Sequence, residues 1–297
     1  KTQAMVPAGA VPLANEAGTA PGLAAELRGA RIFVLPGVPH EMRRMFENQV
    51  APRLAGGQAI VSRVLHAFGT GESDIGARIT DLMVRGANPS VGITVKAGLI
   101  SVRLSASADG EREAAEMLET IAADVRGRLG DHYVGEQDEN LATLTGRLLR
   151  ERGRTLAAAE SCTGGMIGEI ITSVPGASEY YLGGVVAYSN IVKRDLLGVA
   201  PDLLAEHGAV SQPVAAAMAS GCRERFGSDW ALASTGIAGP GGGTDEKPVG
   251  LVFIGLAGPG GVAVARHVFP GTREIVRVRT SWAALDQLRR EIRSRAQ

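Results

Sequence analysis

Residues Leu156–Val199 read LAAAESCTGGMIGEIITSVPGASEYYLGGVVAYSNIVKRDLLGV. An apolar run over Thr155–Ala159 stops at Glu160-Ser161-Cys162-Thr163-Gly164-Gly165. A helical pattern follows over Met166–Thr172, then an apolar run over Gly184–Tyr188 and a second helical pattern over Ile191–Leu197. Strand and helix in alternation predict a sheet covered by helices on both faces, the arrangement that buries the apolar stripe of each element. The pattern extends in both directions. A helix is expected over Asn140–Arg152. Beyond the quoted stretch come a helix over Pro213–Phe226, strands over Trp230–Ser234, Val249–Leu256 and Val262–Phe269, and a closing helix over Arg273–Arg293. The last two strands adjoin in the chain and should pair antiparallel. The expected fold class is α/β, a three-layer α/β/α domain with a mixed sheet over residues 137–297.

Residues 59–134 read differently. A strand over Ile60–Phe68, a helix over Glu72–Met83, paired strands Val91–Val95 and Leu99–Ala106 around Ala97–Gly98, and a long helix over Glu111–Leu129 predict a small α+β domain. Residues 1–58 offer a strand at Arg31–Leu35, a turn at Pro36–Pro39 and a loop at Asn15–Gly22. They also offer an amphipathic helix with Met42, Met45, Phe46, Val50 and Leu54 near one face. So few elements enclose little core, so this stretch is expected to be the end of a truncated α/β domain.

The 297 residues are 45% hydrophobic and 21% charged, with a formal net charge of zero. Overall neutrality gives no electrostatic ground for a nucleic-acid or anionic-membrane partner, so neither is expected. No apolar run reaches the ~18–20 residues that span a bilayer. Cys162 and Cys222 are too few for a disulfide framework, which favours a reducing, cytoplasmic setting. The chain opens on Lys1 rather than methionine, so a signal peptide ahead of it stays open. Of 31 basic residues only Lys1, Lys96, Lys193 and Lys247 are lysines. Arginine serves here as the plain positive charge; lysine is the residue whose pKa can be depressed to make a base.

Three loops at strand ends carry candidate chemistry. In Glu160–Gly165, two glycines permit a tight turn, and the next helix offers N–H groups to a phosphate or an oxyanion. Ser161 and Thr163 add hydroxyls. The plainer reading has Thr163 capping the helix and Cys162 filling a small buried space. In Ser178–Lys193, Ser178 follows Pro175-Gly176, Tyr188 ends a strand, Ser189 or Asn190 can cap the next helix, and Lys193 sits in its first turn. The positive pole of that helix disfavours an ammonium and should lower the lysine pKa toward that of a useful base. A surface lysine and a core tyrosine are the plainer alternative. Thr235–Gly243 (TGIAGPGGG) is neither a Walker A loop nor a full G-x-G-x-x-G. Its weight comes from being a second loop at a strand end of the same domain, with Thr235 and Gly236 at its mouth. Arg273 opens the last helix and could grip an anion bidentately. The five histidines are scattered, and neither H-E-x-x-H nor G-x-S-x-G occurs, so zinc and triad chemistry have no motif here.

In order along the chain, ESCTGG, VPGAS, AYSN-x-x-K-x-x-LLGV, AVS and STGIAGPGGGT-x-EKPVG resemble the C-terminal domain of the CinA (competence/damage-inducible) family. That domain also stands alone as nicotinamide mononucleotide deamidase. Residues 59–134 resemble the family's KH-type connector. Residues 1–58, with GTAPG and LPGVPHEM, resemble the C-terminal part of its molybdopterin-binding-like (MoCF-like) domain. The resemblance implies hydrolysis of the carboxamide of nicotinamide mononucleotide to nicotinic acid mononucleotide and ammonia, with no cofactor, in a homodimer. It implies Ser178 as nucleophile, with Tyr188 and Lys193 moving the proton, whereas position beside a helix start favours Ser161. Thr163, Gly164, Gly165, Asn190, Thr235, Gly236 and Arg273 are the expected substrate-binding residues. Two further functions are weighed: an ADP-ribose pyrophosphatase in residues 1–58, which would need a divalent metal, and a non-catalytic competence or repair partner.

Overall fold

A computed structural model describes residues 5–54 and 58–294. The polypeptide forms two compact units, one from residues up to Ile60 with Ser107–Glu113, the other from Val61–Ala106 and Ala114 onward. The stretches 59–134 and 137–297 thus fall mostly in the same unit.

In the first unit β1 (Val11–Leu13), β2 (Gly22–Leu27) and β3 (Ala30–Val34) form an antiparallel sheet in that order. Arg28 and Gly29, with φ of 52° and 82°, make the two-residue turn whose hand matches the strand twist. Then come α1 (Pro39–Met45), a π-helical turn (Phe46–Val50) and α2 (Ala51–Leu54). Only Met45 and Val50 of the five apolar residues expected on one face are buried; Met42, Phe46 and Leu54 are exposed. The π-helical turn is wider than an α-turn, so the apolar stripe loses its phase there.

Mostly within the second unit, β4 (Ala59–Ala67), α3 (Glu72–Ile79), β5 (Ser90–Lys96), β6 (Leu99–Ala108), α4 (Glu111–Leu129) and β7 (Tyr133–Glu136) build a sheet in the order β5-β6-β4-β7 with two helices. On β6, Ile100, Val102, Leu104 and Ala106 alternate inward; on α4, Ala114, Leu118, Ala122, Val125 and Leu129 form one buried stripe. Strand β7 was not expected from the sequence; it pairs antiparallel with β4 through Tyr133, Gly135 and Glu136.

The remaining elements are α5 (Leu141–Glu151), β8 (Leu156–Glu160), α6 (Met166–Thr172), β9 (Tyr181–Val186), α7 (Asn190–Leu197), α8 (Pro201–His207), α9 (Gln212–Phe226), β10 (Trp230–Gly236), β11 (Leu251–Gly258), β12 (Gly261–Val268) and α10 (Arg273–Ser294). The sheet order is β12-β11-β10-β8-β9. Strand β8 runs parallel to both neighbours, and β10, β11 and β12 pair antiparallel in turn, so the sheet is mixed. Strand β8 is buried on both faces: Leu156 and Ala158 pack with Leu149, Ile167 and Leu288, and Ala157 and Ala159 with Leu197, Val214 and Met218. Helices α5, α6 and α10 therefore cover one face, and α7 and α9 the other. Strand β9 starts three residues earlier than expected. Its Gly183-Gly184 reads locally as a break, but the pairing with β8 absorbs it through a register shift opposite Leu156/Ala157. Among the described residues no helix is long and apolar enough to cross a membrane.

Candidate active site

Strand β8 hands its chain to α6 on one face of the sheet, and the adjacent parallel strand β9 hands its chain to α7 on the other. Such a fork opens a crevice at the carboxyl ends of the strands. The loops 161–165 and 187–189 leave these strand ends, and Ser161 and Lys193 meet there. Ser161 is 8% and Lys193 1% exposed. The Lys193 Nζ lies 3.0 Å from Ser161 Oγ, 2.8 Å from the Ala187 carbonyl and 3.1 Å from the Tyr188 carbonyl. Among the described residues no carboxylate pairs with it. Burial holds the Lys193 pKa below the ordinary lysine value. The direction is the one anticipated from the helix start, but desolvation is its largest cause.

The turn that presents Ser161 is held by residues that the sequence did not single out. Glu160, almost fully buried, accepts the N–H groups of Gly165, Ile167 and Gly168 at 3.0, 3.0 and 2.8 Å. A buried carboxylate with three donors is the cap of α6, the task left to Thr163 on sequence grounds. Thr163 instead shares a 2.7 Å hydrogen bond with Ser234 Oγ, and its carbonyl accepts Arg277 Nε and Nη2 at 3.1 and 2.7 Å. The Ser161 N–H donates to the Ser234 carbonyl at 2.9 Å, tying the turn to β10. Gly164 and Gly165 sit at φ of 60° and 98°, where a side chain would strain the backbone. An acid just ahead of a helix start was a usable signal for Glu160; Arg277 lies 114 residues from its partner and had none. The Cys162 thiol, buried beside Ser234, is pushed up to about 12, so it stays protonated near neutrality.

The other expected site residues divide. Ser178 is exposed in a 3-10 turn (Ala177–Glu179) that feeds the start of β9. Lys193 reaches carbonyls beyond the end of that strand, so six residues of β9, about 20 Å of extended chain, separate them. Within one chain the fold therefore does not bring Ser178 and Lys193 together: they lie at opposite ends of β9. Tyr188 is 60% exposed, and its hydroxyl accepts Arg273 Nη2 at 3.0 Å; only its main-chain carbonyl touches Lys193. Arg273 also donates to the Gly239 carbonyl at 2.9 Å, so Arg273, Tyr188 and the glycine-rich loop form a rim. Asn190 is the exposed first residue of α7, and Ser189 caps that helix through the Val192 N–H. Thr235 is buried and donates to the Ala209 carbonyl at 2.7 Å. Gly236 is needed by the sheet, since a Cβ there would lie 2.7 Å from the Leu251 carbonyl oxygen. Lys247 donates to the His207 carbonyl. Among the described residues no three His, Cys, Asp or Glu side chains cluster as a metal-holding group.

Fold and site define a mixed α/β/α domain with a serine and a buried lysine at its switch point. The family model described as CinA C-terminal domain matches residues 138–292, and that described as damage-inducible protein CinA KH domain matches residues 62–135. A CinA-like protein of Parasynechococcus marenigrum is 46% identical over 98% of this chain and 71% of its own length; one of Gloeobacter violaceus is 46% identical over 98% and 70%. The crystal structure of a competence-damaged protein (CinA) superfamily protein from Klebsiella pneumoniae superposes with a TM-score of 0.51 at 34% identity, over 52% of this chain and 96% of that one. The chain belongs to the CinA family.

Proposed function

We propose that the α/β/α domain is an amidohydrolase that converts nicotinamide mononucleotide to nicotinic acid mononucleotide and ammonia. One observation carries the reading: the 3.0 Å contact between Lys193 Nζ and Ser161 Oγ, both residues buried at the carboxyl ends of β8 and β9. In this reading neutral Lys193 takes the Ser161 proton as Oγ attacks the carboxamide carbon. The tetrahedral oxyanion forms beside the N–H groups of the Cys162–Thr163 turn, the kind of preorganised donor that stabilises developing charge. The protonated lysine returns its proton to the departing nitrogen, the C–N bond breaks, and ammonia leaves an ester on Ser161. Water, deprotonated by the same amine, releases the acid. The 5′-phosphate meets Arg273 at the rim, an arginine suited to an oxyanion. Tyr188, bonded to Arg273 rather than to the serine, holds that rim and stays out of the proton path.

Ammonia release from nicotinamide mononucleotide tests the reading. Lys193→Ala and Ser161→Ala should each lower kcat by about 10²–10⁴-fold, the range of a lost general base or its nucleophile. Ser178→Ala should turn over like the parent. Full activity in Lys193→Ala, or equal damage from Ser178→Ala and Ser161→Ala, would sink the assignment.

A further inference from the structure

A cavity of about 590 Å³ lies away from the serine–lysine crevice, in the second unit, between the β4–α3 loop, the β5–β6 turn, β12 and α10. Its size is that of a small-molecule site. One part of its lining is flat and apolar: the ring of His267 stacks on Phe269, with centroids 5.0 Å apart and planes 11° apart, and Phe68 contributes a third ring. Burial lowers the His267 pKa, so near neutrality this platform is uncharged.

The polar part of the lining is incomplete. Arg279 Nε and Gln287 Oε1 are buried with no hydrogen-bond partner, and among the described residues neither side chain has an ion pair. On the same helix Arg273, Arg277, Arg289 and Arg290 each have hydrogen-bond partners. A buried polar group left unpaired is destabilising unless something supplies its partner. Gly98 keeps the flank of Arg279 bare, since a Cβ there would come within 3.5 Å of Nε and 3.6 Å of the Phe68 ring. The acid in the lining, Asp286, is already paired through Oδ1 to Arg289 and through Oδ2 to Arg290. The unspent charge in the cavity is therefore positive.

We propose that this cavity is a second ligand site, built for a small aromatic anion: a flat ring laid on the His267–Phe269 stack, with a carboxylate or phosphate on Arg279. Gln287 is placed to bond a polar group on the same ligand. The inference does not rest on the deamidase reading, because neither Ser161 nor Lys193 lines the cavity.

Calorimetric titration of the full chain tests it with four probes: nicotinate and adenosine monophosphate as ring-bearing anions, nicotinamide as a ring without charge, and inorganic phosphate as charge without a ring. Binding of nicotinate identifies a carboxylate ligand, and binding of the nucleotide a phosphate one. Either should exceed its ringless or uncharged control, weaken about tenfold or more in Arg279→Ala, the worth of a charge-assisted bond, and persist in Lys193→Ala. Gln287→Glu, which adds a negative charge to the cavity wall, should weaken the same binding and gives a second reading if Arg279→Ala fails to fold. The proposal is overturned if neither anion binds, if phosphate alone binds as well as the nucleotide, or if binding ignores both substitutions.

Discussion

Lys193 makes three contacts, all to oxygen. The Ala187 and Tyr188 carbonyls can only accept, so each holds an N–H. Ser161 Oγ completes the set, and a hydroxyl can accept from an ammonium or donate to a neutral amine. The three contacts suit either form, so burial, which penalises the charge, sets the direction of the shift. The consequence for stability has a definite sign. The folded pKa lies below the ordinary 10.5, so between the two values the unfolded chain binds a proton that the folded one does not. Stability therefore rises with pH across that window and is lowest below it. Lys193→Met removes the titrating group, so the melting temperature of the parent relative to this variant should climb as pH is raised from neutrality toward 10.5. A flat difference would mean that the lysine titrates normally. Under the deamidase reading, kcat follows the same direction, rising with pH through the lowered lysine pKa to a plateau.

At the scale of elements, the crevice depends on how closely α7 and α9 pack, because α7 carries Lys193. A Cβ at Gly221 in α9 would fall 1.8 Å from the Leu197 carbonyl oxygen at the end of α7, so the helices touch backbone to side-chain-free backbone. Intrinsic propensity favours alanine over glycine in a helix by ~1 kcal/mol, while forcing extra volume into a packed contact costs ~1–3 kcal/mol. The clash is with backbone, which cannot swing aside, so packing should win. Gly221→Ala is expected to lower the urea midpoint and, under the deamidase reading, to reduce turnover with it; a more stable variant would refute the close approach. Helices α4 and α6 were legible to the residue because a 3.6-residue period is written locally. Strands β1, β2 and β7 and helix α8 escaped notice, being three to seven residues long. Such short strands are held by partners distant in sequence rather than by their own pattern.

At the scale of the whole second unit, a buried ion cluster ties α10 to the turn before β7. Arg289, 1% exposed, donates to Asp286 Oδ1 and to the Asp131 carbonyl at 2.9 Å, and Arg290 takes Asp286 Oδ2 at 2.8 Å. Asp286→Ala would leave Arg289 buried beside no counter-charge, a loss of about 3–5 kcal/mol in chemical denaturation; a loss near zero would show that water compensates. Nothing in the sequence announced this cluster, whose bond to Asp131 spans 158 positions. The alternation of strand and helix, the antiparallel pairing of β11 with β12, the glycines of the 160–165 turn and the presence of Ser161 and Lys193 in one segment were all readable from the chain, because periodicity and turn chemistry act over a few neighbouring residues. Which serine meets the lysine was not. Ser161 and Ser178 lie 32 and 15 positions from Lys193, yet the nearer in sequence is the farther in space. Strand β9 carries Ser178 away from the site along its whole length, while parallel pairing of β8 with β9 brings the ends of both strands, and so Ser161 and Lys193, to one edge. That pairing is a long-range choice made by burying both faces of the sheet, and only the folded molecule makes it.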